Sequence, residues 1–213
     1  MRMKSVFAVL ALCLFAGCQC YRWQGGVVDS PLFSERPQKP LWITDLSFEA
    51  DVGIDTSGFG GPWNDLKKQG VASYAADVMA ALPEVYSTNA VSEQISVVVK
   101  VMKNDSYFNF GKFLISLGFI WPEETKESRE YEVYVVRNGV RSKPVLLRTV
   151  EEMWMGEPWT LAVHFAYPDR DERLSENIVG RAGSSSGRAY SEELPRVKLK
   201  ALAKAILLAA QTK

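Results

Sequence analysis

Tyr131-Glu-Val-Tyr-Val-Val-Arg-Asn-Gly-Val-Arg141, followed closely by Val145-Leu-Leu-Arg-Thr-Val150, is the stretch that decides the fold. Tyr131, Val133 and Val135 alternate with polar neighbours, which is the period of a strand with one buried face. The run ends at Asn138-Gly139. Both central residues of a type I′ turn need positive φ, and Asn-Gly supplies that at little steric cost. The apolar pattern resumes at Val145–Val150, so the pair reads as an antiparallel hairpin and the sheet it belongs to as mainly antiparallel.

Other elements fall around this hairpin. Upstream, Ile95, Val97, Val99 and Val101 line one side of a strand over Gln94–Lys103. Further upstream, Leu46, Phe48, Ala50 and Val52 alternate with Asp45, Ser47, Glu49 and Asp51, which gives a first half-buried strand. Between these two, Pro62 follows the glycine-rich Gly58-Phe-Gly-Gly61 and suits a helix start. Leu66, Val71, Tyr74, Ala75, Val78, Met79 and Leu82 then recur at helical spacing until Pro83, and Gly70 weakens the middle of that helix. Downstream, Trp159, Leu161, Val163, Phe165 and Tyr167 suggest a fifth strand. Residues 168–190 are polar and read as a mobile loop. A closing helix around 192–211 has Val197, Leu199, Leu202, Ala205, Ile206 and Ala209 on its apolar side. Strand, helix, several strands, helix is the order of an α+β two-layer domain: a mainly antiparallel sheet of four to five strands with two helices on it.

The N-terminus has a different character. Arg2 and Lys4 precede the uncharged, apolar run Val6–Ala16, and small residues stand just before Cys18. This is the layout of an export signal. The run is too short to cross a bilayer, which takes about 20 residues. Leu14-Phe-Ala-Gly-Cys18 resembles the lipobox of bacterial lipoproteins, with Phe15 standing where that family usually carries an aliphatic residue. The resemblance implies that 1–17 is a signal peptide cut before Cys18 after the Cys18 thiol is lipidated. Gln19 follows the anchor cysteine, where enteric lipoproteins kept in the inner membrane tend to have aspartate. By resemblance the address is the outer membrane of a Gram-negative cell with the domain facing the periplasm, or the cell membrane if the cell is Gram-positive. Residues 18–40 carry Gly25-Gly26, Pro31, Pro37 and Pro40 and read as a tether, with Trp23 at the membrane surface. A single domain at 41–213 follows.

Composition narrows the function classes. Cleavage removes two of 25 basic residues and no acidic one, leaving a slight excess of the 25 acidic residues with no long block of one sign. A nucleic-acid binder would show a basic excess instead. Cys18 and Cys20 are the cysteines left after cleavage, so no disulfide framework is expected, and Cys20 reads as a bystander. One histidine, His164, is too few for the usual zinc ligand sets and sits in an alternating pattern that needs no catalytic role. Gly183-Ser-Ser-Ser-Gly187 satisfies G-x-S-x-G in letters only, because neither histidine nor aspartate follows Ser185. A flexible linker is the expectation there. Asp45, Glu49, Asp51 and Asp55 lack calcium-loop spacing and read as a wet strand face. No catalytic, cofactor or metal residue is expected.

Two apolar stretches remain. Phe108, Phe110, Phe113, Leu114, Leu117, Phe119 and Trp121 dominate Phe108–Pro122, which is too short to span a bilayer and too apolar for an ordinary exposed loop. The plain reading is buried core. The functional one is contact with the membrane, a partner or an apolar ligand. Met153-Trp-Met-Gly-Glu-Pro-Trp159 reads as irregular, with indoles that pack at a strand entrance or contact a sugar or protein. The expected function is a non-enzymatic accessory or assembly component that binds another envelope protein. The alternative is a lipoprotein that holds an apolar or lipid ligand near Phe108–Trp121.

Overall fold

The structure is a computed structural model, and it describes residues 18–28, 37, 39–50, 70–108, 123–156, 174–181 and 184–212. Among the described residues the chain is α+β, with seven strands and two helices. The strands are β1 (Cys18–Val27), β2 (Leu41–Ala50), β3 (Glu93–Phe108), β4 (Glu123–Arg137), β5 (Val140–Arg141), β6 (Val145–Gly156) and β7 (Glu176–Arg181). The helices are α1 (Val71–Ala80), between β2 and β3, and α2 (Ser185–Gln211), after β7. The open sheet runs β2-β3-β4-β6-β1-β7, with β5 beside β4. Only β2 and β3 pair in parallel; every other neighbour pair is antiparallel.

The hairpin forms as its sequence dictates. Asn138 and Gly139 have φ of 50° and 79°, and β6 returns along β4 with Val145 opposite Val133. β3 and β4 put Val97, Val99, Val101, Val133 and Val135 on one face, all nearly solvent-free. α2 covers that face with Ala201, Ala203, Ala205, Ile206 and Ala209. Alanines make the helix surface shallow, so its backbone can lie close to the β-branched side chains. The Tyr86 hydroxyl, in the chain that follows α1, donates to the Ala203 carbonyl at 2.6 Å and ties the two helical regions together.

Four expectations need correction. First, the described residues alone form seven strands, against the four to five expected. Second, the segment read as a tether contains β1, a strand between β6 and β7. Trp23 is buried under α2 and is not at a membrane surface. The polar letters of β1 mislead because Arg22 and Gln24 are themselves buried on the opposite face, so the segment shows little apolar alternation. Third, Gly70 is not inside a helix. At φ 85° it is the N-cap of α1, and a side chain there would strain the backbone. Fourth, the polar 168–190 stretch supplies β7 and the start of α2. Ser184 caps that helix by accepting from the Gly187 N–H at 3.3 Å. The expected fifth strand at 159–167 lies outside the described residues, as does the helix stretch at 62–69.

Candidate functional site

The end of the sheet at which β1 begins collects the predicted contact residues that the structure describes. Cys18 is the first residue of β1 and lies opposite Gly156, the last of β6. Glu123, the first residue of β4, lies opposite Met155. Phe108 closes β3 opposite Thr125. Thr125 lies opposite Met153, and Met153 opposite Tyr21, so Phe108 and Cys18 are three residues apart in level, about 10 Å. β1 and β3 are separated by three strand spacings, about 14 Å. Phe110, Phe113, Leu114, Leu117, Phe119 and Trp121 lie outside the described residues, and the strand ends fix only where their connection begins and finishes. Tyr107, on β3 at this end, is 51% exposed.

A charged cluster that sequence reasoning missed sits behind this end, on the face of the sheet away from α2. Arg22 and Glu152 face each other across β1 and β6 and are both about 2% exposed. Arg22 Nη2 lies 2.5 Å from Glu152 Oε2, and Lys126 Nζ lies 2.9 Å from Oε1. The Arg22 guanidinium also lies 4.9 Å from the Trp154 ring centre. One carboxylate thus meets two cations, which leaves no uncompensated buried negative charge. The signal was a lone Arg22 in β1 and one of two adjacent glutamates in β6, 130 positions apart, so only the register joins them. Trp154 is 1% exposed and belongs to β6, so the stretch is strand up to Gly156 where irregular chain was expected, and of the two readings of its indole core packing holds. Trp159 lies outside the described residues.

Two concavities accompany the sheet. One, between the sheet and α2, has a volume of about 30 Å³, room for a water or two and no more. Trp23, Phe48, Tyr131 and Leu202 line it with Arg129 and Lys198. The other is an open groove of about 440 Å³ between α1 and α2, with Ala80, Ala81, Val197 and Leu199 below Asp77, Arg196 and Lys200. Glu176 at its margin is held by Lys200 at 3.5 Å and by Lys204.

The remaining motifs take structural places. Ser184 and Ser186 of the Gly/Ser stretch hydrogen-bond to each other at 2.8 Å at the start of α2, so the stretch opens a helix where a linker was expected. Asp45 is exposed on β2, and Glu49 pairs with Arg141 at 2.7 Å. Asp51, Asp55 and His164 lie outside the described residues. Cys20 is a buried thiol on the Arg22 face of β1, which places it in the domain. Among the described residues no three His, Cys, Asp or Glu side chains are grouped to hold a metal, and no helix is long and apolar enough to cross a membrane.

Burial sets the titration of the tyrosines. It pushes the hydroxyls of Tyr86, Tyr131 and Tyr190 well above the ordinary tyrosine range. Tyr134 is pushed up to about 12, mainly by its hydrogen bond to the Glu132 carboxylate. None of these groups is poised near neutral pH for proton transfer. Compared with known proteins, the chain matches no family model and no curated protein.

Proposed function

We propose that this is a lipid-anchored protein of the bacterial envelope, acylated on Cys18, whose domain is a non-enzymatic accessory or assembly component that binds another envelope protein. The observation that carries the reading is the lipobox-like Leu14–Cys18 just ahead of a paired strand: β1 is bound into the sheet from Cys18 onwards, so cleavage before Cys18 leaves these pairs in place. The outer membrane remains the preferred address because Gln19 follows the anchor.

Among the described residues, the cavity volumes support protein binding over ligand carriage. A carrier for a lipid or drug-sized molecule needs several hundred Å³ of enclosed apolar space. The described cavity beneath α2 has about 30 Å³, whereas the larger concavity is an open, charge-rimmed groove. A ligand seated near Phe108–Trp121 would instead copurify with the protein.

The test has two parts. Intact-mass analysis of protein purified from membranes should show a chain beginning at Cys18 and carrying acyl groups. A free terminus elsewhere, with the protein in the soluble fraction, overturns the anchor. Crosslinking from membranes should then give a defined partner band that is weakened by Phe113→Asp with Leu117→Asp in protein that stays folded. Persistence of every partner and every bound lipid overturns the role given to that segment.

A further inference from the structure

We infer that the protein stands end-on on the bilayer, with the sheet end that carries Cys18, Gly156, Glu123 and Phe108 facing lipid and no flexible linker between anchor and fold. The inference rests on acylation of Cys18 and goes beyond it by fixing how the domain is held.

The argument is one of chain length. A flexible tether over 18–40 would let the domain wander about 25 Å from its anchor, taking 5–6 Å times the square root of the residue number. The structure contains no such length. β1 pairs with β6 from Cys18 onwards and with β7 from Cys20 onwards. An acyl chain on the Cys18 sulfur starts in the lipid headgroup region, so the first pair of the sheet lies there too. Strands rise about 3.3 Å per residue, and Arg137 on β4 is fourteen residues from Glu123, so the Asn138-Gly139 turn stands more than 40 Å away from the anchored end.

What meets lipid follows from the register. β6, β4 and β3 lie successively beside β1 and reach the same end within about three residues of one another. β2 stops at Ala50, opposite Val101, and so stays back from the surface. Tyr107, one residue before the end of β3, presents a half-exposed ring at this end, a side chain suited to the boundary between headgroups and water.

The experiment uses the acylated full-length mature protein in phosphatidylcholine vesicles. A fluorophore is attached at Asp105→Cys, near the anchored end, or at Val140→Cys, beside the distant turn. Asp105 and Val140 are both solvent-exposed, and buried Cys20 is protected from the label. Tyr107→Cys is a second near-end probe should the Asp105 variant fold poorly. Quenching by lipids spin-labelled at the headgroup should be clearly stronger at 105 or 107 than at 140, where emission should be unchanged. Equal quenching at both positions in acylated, vesicle-bound protein overturns the orientation and leaves the anchor standing, as does stronger quenching at 140. A chain without acyl groups by intact mass overturns the anchor reading and this orientation with it.

Discussion

Arg22 illustrates how one residue can be indispensable without being catalytic. Its guanidinium is buried against Glu152 and Trp154, so replacing it leaves a buried carboxylate with Lys126 as its remaining cation. Arg22→Met should therefore destabilise the fold by about 3–5 kcal/mol, nearer the lower figure because Lys126 remains. Pairing it with Glu152→Leu should recover much of the loss in urea unfolding, since an apolar pair removes the orphaned charge. Two tyrosines make a sharper contrast. The Tyr86 hydroxyl donates to Ala203, whereas the buried Tyr190 hydroxyl has no hydrogen-bond partner among the described residues. Tyr86→Phe should cost about 1 kcal/mol, while Tyr190→Phe should cost nothing or stabilise slightly. Equal losses in the two variants would contradict this account. These distinctions were not legible in sequence: two tyrosines look alike until their surroundings are known.

At the scale of elements, glycine positions show where backbones nearly touch. A Cβ on Gly180 of β7 would stand 2.3 Å from Tyr190 Cβ and 3.0 Å from the Ser186 carbonyl oxygen, so Gly180→Ala must push the first turns of α2 outward. We expect a loss of about 1–3 kcal/mol in thermal unfolding. Gly139→Ala meets no neighbour and strains only φ at 79°, for about 1 kcal/mol. Elements with a wet face and a dry one were legible: β2, the β4 turn and the later part of α2 follow their apolar periods. β1 and β7 were not. β1 is buried on both faces with charge satisfied across strands, and β7 is six residues long with little hydrophobic content. Phe108 and Cys18 were singled out separately, but their shared end depends on strand order, which no local pattern encodes.

The molecule as a whole should be sensitive to alkali. Tyr86, Tyr131 and Tyr190 are held protonated in the fold, above their unfolded value of about 10. The stability they contribute is complete below pH 10 and is lost as pH rises above it, because the unfolded chain releases those protons first. Tyrosinate absorbance for these three should appear together with loss of circular dichroism, after half-buried Tyr134 has titrated near 12 or as the fold gives way, whichever comes first. Smooth independent titration in a folded protein would contradict it. The sheet order has a further consequence. β1 is made before both of its sheet neighbours, which begin at residues 145 and 176, so its two seams wait for the last third of the polypeptide. Closing such distant partners is slow. If the chain is exported as proposed, it therefore stays threadable through a narrow pore and acquires its finished architecture only once transit is over.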